Sequence, residues 1–449
     1  MILNKFFLKS QPTLHLALFF FFLIFSLDVM CEILPKKTWV DKDTGHRVWR
    51  LTDEENSKSL YFNNNAFTPD GKWMVYSNPQ GIKALNLESK NSKFIYLPQR
   101  KSKVRLISVG QKTNSIFIYV QNSTNAELLT IDITSGSVLN KNKIELGMRI
   151  ESINANEKFA AGTFERVENQ NNGTGKSTVV YPATVIQTER RGQLLYERLA
   201  AKIPLSLFIL NLETGETKEI LKSNDWLNHL QFSPTDPDLL MYCHEGPWHK
   251  VQRIWTIKID GTEKKLMHHR TMTMEIVGHE FWSRDGQTIW FDWQFPKGKH
   301  FFLAGISIDD EKKTAFSIER DDWAVHYNIS NDGSIFVGDG SDKGQAARAQ
   351  NGRWITSFSR NKEMDNDYSN DKAYWQHSTL KRERLVNMSA HDYKLEPNVR
   401  VSPDNKMVIF RSNMFGAPYI FGVELGRVKN ETMDIEDTVK LAEKFKANQ

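Results

Sequence analysis

Seven times along this chain an apolar residue enters a Ser/Thr-Pro-Asp-Gly-like turn and leaves it as an apolar strand. The clearest copies begin Phe67-Thr-Pro-Asp-Gly, Trp282-Ser-Arg-Asp-Gly, Ile329-Ser-Asn-Asp-Gly and Val401-Ser-Pro-Asp-Asn. Phe232-Ser-Pro-Thr-Asp-Pro-Asp is a stretched copy, and weaker ones start at Ile107 and Ile153. Pro sets the first turn dihedral, Asp bonds the local backbone and Gly takes the positive φ. The β-branched and aromatic run that follows pairs as a strand. A second phrase lies between copies: Ile131-Asp-Ile-Thr-Ser-Gly, Leu210-Asn-Leu-Glu-Thr-Gly and Ile257-Lys-Ile-Asp-Gly, each a hairpin with Gly at its tip.

The copies start near residues 67, 107, 153, 232, 282, 329 and 401. Most gaps equal one four-stranded blade, so the spacing predicts an all-β, seven-bladed β-propeller. The two long gaps hold polar insertions, at 168–177 and 339–371. Residues 38–51 are expected to pair with the last blade near 419–425, closing the ring and removing open sheet edges. The one stretch with a helical period is the tail after Glu431. The expected organisation is a signal peptide at 1–31, a single propeller at 32–430 and a tail at 431–449.

Lys5 and Lys9 precede an apolar run from Leu14 to Leu27, of signal-peptide length and short for a membrane span. Cys31 follows; it is either the lipid-bearing residue of a bacterial lipoprotein or part of the removed leader. The other cysteine is Cys243. Export without a disulfide fits a periplasmic or outer-membrane-attached protein, touching the membrane only through a lipid on Cys31. The net charge of +5 is scattered with no basic block, which argues against nucleic acid. A mild positive bias favours an anionic substrate.

Chemistry concentrates between Trp226 and Trp293. His229 sits in Trp-Leu-Asn-His, His244 in His-Glu-Gly-Pro and His279 in His-Glu-Phe-Trp; His326 occupies a comparable place before its own turn. One such histidine alone is more often a packed turn residue than a base or a ligand. Four in successive blades would converge on one axis. His244, ending an apolar strand, is the candidate base. Arg253 is placed to grip a carboxylate with its planar fork, and Tyr61 and Asn63 to reach the same mouth. No phosphate loop, nucleophile elbow or zinc-protease helix is present.

These phrases resemble the oligogalacturonate lyases, seven-bladed propellers that cleave pectic oligosaccharides by β-elimination. The resemblance runs over most of residues 37–425. It implies that His244 is the base and His279 a manganese ligand. The remaining ligands of that family come from a Gln-x-x-His-Pro-His motif, where this chain reads Tyr393-Lys-Leu-Glu396-Pro-Asn398. A site of His279, Glu396 and Asn398 is harder than a His-rich one, and would hold manganese, calcium or no metal.

The implied reaction removes the C5 proton of a uronic acid and expels the group on C4, leaving a 4,5-unsaturated sugar. His244 would take the proton, Arg253 and His279 would hold the carboxylate, and Tyr393 or Tyr61 would protonate the departing oxygen. His229 and His326 would line the substrate. The same elimination serves a polysaccharide lyase or a dehydratase acting on a non-reducing-end uronate, on pectin- or ulvan-derived oligosaccharides. The alternative from another class is a non-catalytic periplasmic propeller that scaffolds a complex.

Overall fold

The computed structural model describes residues 36–166, 191–342, 347, 349–360, 372 and 374–428. The expected leader with Cys31, the insertion at 168–177 and the tail after Glu431 lie outside the described residues.

The chain is all-β. Its described residues form seven antiparallel sheets in a propeller-like arrangement, two of the sheets being joined edge to edge. Each copy of the turn phrase joins the first two strands of one sheet. The Ser or Thr hydroxyl donates to the Asp two residues on: Thr68 to Asp70, Ser330 to Asp332 and Ser402 to Asp404, each at 2.6 Å, and Ser283 to Asp285 at 2.5 Å. Gly71, Gly286 and Gly333 follow at φ of 70–71°, and Asn405 fills the slot at 56°. The left-handed conformation explains Gly, or Asn, at that place.

The first strands of neighbouring sheets are laced together. Ser152 accepts from the backbone of Phe232 at 3.0 Å, Gln231 donates to the Glu280 carbonyl at 2.9 Å, and Asn328 accepts from Val401 at 3.3 Å. Apolar faces fill the space between sheets: Leu207 and Ile209 against Leu227, Leu240 and Tyr242, and Trp290 and Phe281 against Tyr327 and Phe336. Each such buried side chain contributes about 1.5–3 kcal/mol.

Closure follows the expected pairing. Strand His46–Arg50 aligns with Tyr419–Arg427, Val48 opposite Val423 and Arg50 opposite Phe421. The first sheet after it departs from the pattern. Its innermost position holds only a bridge between Phe67 and Met74, which leaves residues 61–65 irregular and free to project side chains inward.

Two features differ from the sequence reading. Helix Arg191–Ala201 follows the first insertion, where the sequence shows no helical period. Its larger apolar residues, Leu194, Leu195, Tyr196 and Leu199, are split by Glu197 and Arg198 and draw no continuous stripe. The second polar stretch is not a simple insertion. Trp354–Arg360 is the third strand of its sheet, and the 13-residue strand Trp375–Asn387 pairs with it while running parallel to Lys313–Ser317 of the preceding sheet.

Candidate active site

In strand Trp226–Phe232 the register slips between Asn228 and Gln231; in Ile276–Trp282 it slips between Gly278 and Phe281. His229 and His279 are the left-handed residues of these two bulges, at φ 50° and 49°, and Asn398 stands at 53° before its own first strand. A bulge re-aims the side chain it carries. A left-handed non-glycine conformation costs on the order of 1–3 kcal/mol and concentrates at functional sites. Three residues of the sequence-predicted site share this geometry.

Behind two of the histidines stands an aspartate. His279 Nδ1 bonds Asp292 at 2.8 Å and His326 Nδ1 bonds Asp339 at 2.7 Å. Each carboxylate accepts the Nδ1 proton, so each ring offers an Nε2 lone pair. Gly278 makes room for the first pair: a Cβ there would meet the Trp248 ring at 3.0 Å and Asp292 Oδ1 at 3.2 Å. His326 Nε2 accepts from the Tyr61 hydroxyl at 3.1 Å. Asp339, His326 and Tyr61 thus form one chain that ends at a phenol. The Tyr61 ring lies nearly parallel to that of His229 at 6.0 Å, and Phe62 packs against His326 at 4.7 Å.

His229 Nε2 faces Glu245 at 3.2 Å. Glu245 also accepts from Arg253 at 2.9 Å and from the Trp248 indole at 3.2 Å. Arg253 completes its fork on Glu280, at 2.9 and 3.4 Å. Burial opposes the charge on Glu245, but Arg253 and His229 override it and hold the carboxyl well below the usual carboxylate range. Arg253 is therefore committed to two protein carboxylates and not turned toward a substrate. It fixes the carboxylate that orients His229.

His244 is on the opposite strand face from Glu245, because successive side chains alternate. Its Nε2 lies 3.3 Å from Asp225, without hydrogen-bond geometry. Burial lowers its pKa against the pull of Asp225. Tyr393 is buried, and its hydroxyl donates to the Asp339 carbonyl at 3.0 Å. That bond anchors the loop behind His326 and removes Tyr393 from the solvent-facing site. The structure thus gathers Tyr61, His229, His279 and His326, and leaves His244 beside them on another face.

A cavity of about 250 Å³ opens on Tyr61 and His229 of this group, with Asn63, Glu396, Arg105 and Arg149 also in its lining. A second cavity of about 360 Å³, on the side of the turns, shares Asn63, Asn64, Glu151 and Gln231 with it. The metal expectation finds a poor donor set. The Asn398 amide oxygen accepts from Phe62 N–H at 3.3 Å, and Glu396 Oε2 lies 3.9 Å from His326 Nε2. Among the described residues, no three His, Cys, Asp or Glu side chains are grouped to hold a metal ion. His279, Glu396 and Asn398 do not fit a resident divalent ion.

Sequence reasoning missed Asp292, Asp339, Glu245, Glu280, Arg105 and Arg149. One signal was present: each aspartate follows its histidine by 13 residues.

The family profile described as oligogalacturonate lyase matches residues 195–428, more than half of the chain. This chain belongs to the oligogalacturonate lyase family. It is 28% identical over 226 residues to the oligogalacturonide lyase of Pectobacterium atrosepticum, and 26% identical over 224 residues to the oligogalacturonate lyase of Dickeya dadantii. Each match covers 48% of this chain and 54% of the relative, so the chain spans about half the length of the curated relatives it matches. A solved oligogalacturonate lyase in complex with manganese superposes with a TM-score of 0.68 at 22% identity, over 87% of this chain and 96% of that one. The oligogalacturonate lyase of Vibrio parahaemolyticus gives 0.65 at 19%, with the same coverage. At these identities the two structures establish the fold of this family member.

Proposed function

We propose that this protein is a carbon–oxygen lyase acting by β-elimination on uronic-acid-containing oligosaccharides, exported from the cytoplasm. The observation that carries the reading is the pair of relays meeting at one cavity. Glu245 orients His229, and Asp339 with His326 orients Tyr61.

With Nε2–H given to Glu245, His229 has its Nδ1 lone pair available to take the C5 proton. The Tyr61 hydroxyl, turning from His326 Nε2 to the oxygen leaving C4, delivers its proton there, and the phenolate regains a proton from His229 when the product departs. A base for the C5 proton and an acid for the C4 oxygen, both within reach of one sugar, are what elimination requires. Family membership supports the same reaction class. His244, the base by resemblance, is the second reading for proton abstraction; its neutral, partly buried imidazole favours it.

The leaving group is a sugar in a lyase and water in a dehydratase. Purified protein is mixed with defined oligouronides while absorbance of the unsaturated product is followed; mass spectrometry then separates chain cleavage from loss of water. His229→Ala should abolish the signal with the fold intact. Full activity in His229→Ala together with loss in His244→Ala would move the base to His244. Silence on every oligouronide would sink the lyase reading.

A further inference from the structure

Removing a proton beside a carboxylate builds negative charge on that carboxylate, and the site must neutralise it. The donor set around His279, Glu396 and Asn398 does not fit a metal, so the neutralising charge has to come from elsewhere. The cavity itself carries two cations, on the first strands of adjacent sheets: Arg105 in Lys103–Val109 and Arg149 in Arg149–Ile153.

We propose that Arg105 and Arg149 together bind the substrate's uronate carboxylate in the cavity shared by Tyr61 and His229, in place of a divalent cation. Each guanidinium is anchored through one nitrogen. Arg149 Nε pairs with Glu151 at 3.3 Å, and Glu151 is itself fixed by the Leu230 N–H at 3.2 Å. Arg105 donates one terminal nitrogen to the Ile150 carbonyl and lies over the Tyr119 ring at 5.7 Å. These anchors aim both forks without engaging all their donors. A planar fork matches a carboxylate better than a point charge does. Burial, and after it the charge of Arg149, depress the pKa of Arg105. An anion seated between the two would relieve that repulsion, while Glu151 alone does so only in part.

The identity of the ligand as a uronate rests on the elimination reading; the arginine site does not. The test is calorimetric titration of the full chain with digalacturonate and with its methyl ester, before and after EDTA treatment, with product absorbance followed in parallel. Digalacturonate binding should survive EDTA. Arg105→Ala and Arg149→Ala should each weaken it about tenfold or more, and neither should change binding of the ester. Arg149 is largely exposed, so its variant folds even if Arg105→Ala does not. Unchanged affinity in Arg149→Ala, or binding lost with EDTA, overturns the arginine site whatever the activity shows. Arginine-dependent binding with no unsaturated product supports the site and removes digalacturonate from the substrates of the lyase. No binding of digalacturonate at all overturns the arginine site.

Discussion

The rings of His279 and His326 meet edge to face with their centroids 4.9 Å apart, each backed by its own aspartate 13 residues further along the chain. Two sheets thus present the same unit to one point. Only the His326 unit is extended by a phenol, which separates its role from that of its twin.

Asp339→Asn keeps the shape of that unit but no longer holds the Nδ1 proton in place. Turnover on an oligouronide should fall by about 10²–10⁴-fold, the usual range for a general acid–base contribution. KM should change little, and the denaturation midpoint should stay within reach of the parent. Loss of affinity with turnover unchanged would contradict the relay.

Tyr61→Phe removes the terminal proton and leaves the ring stacked on His229. Its effect should depend on the leaving group. Poor leaving groups on C4 should be eliminated about 100-fold more slowly, while a good one, such as a nitrophenolate, should be nearly unaffected. Equal losses for both would show that Tyr61 is not the acid.

Arg253→Leu strands Glu245 and Glu280 as buried carboxylates. Breaking a buried ion pair from one side costs about 3–5 kcal/mol. The urea midpoint should drop accordingly, with the slope of the transition unchanged. Replacing Glu245 by Gln in the same background should recover part of the loss, since one stranded charge is gone.

His391 supplies a pH dependence separate from catalysis. Burial pushes its pKa down to about 4, although its bond to the Leu395 carbonyl opposes this. The unfolded chain binds the proton near pH 6.5 and the folded chain only near 4. Stability is therefore full above pH 6.5 and declines as pH falls toward 4, by up to about 3 kcal/mol. His391→Gln should flatten the urea midpoint over that interval; an unaltered slope would remove His391 as its source.

The fold was legible because its punctuation is local. Asp70, Asp285, Asp332 and Asp404 each cap their own turn within two residues, and such signals survive in the sequence whatever the rest of the chain does. The histidines were legible as a set, and His229, His279 and His326 do come together around Tyr61. What they are bonded to was not. Glu245 reaches His229 across a bulge, and Arg253 reaches Glu280 from the next sheet; neither link has a fixed sequence distance. His244 and Arg253 looked alike as polar residues at strand ends, yet strand alternation and a buried ion network assign them other surroundings. Tyr393 fell on a family motif position, but its hydroxyl found a backbone carbonyl first.

The pairing of His46–Arg50 with Tyr419–Arg427 has a consequence for biosynthesis. Trp49 and its partner Glu424 are 375 residues apart in sequence. At a translation rate of about 5–20 residues per second, the early strand waits on the order of twenty seconds to over a minute before its mate leaves the ribosome. Until then the nascent chain carries an unzipped edge, and premature termination anywhere before the final strand would release a protein that is open along that seam.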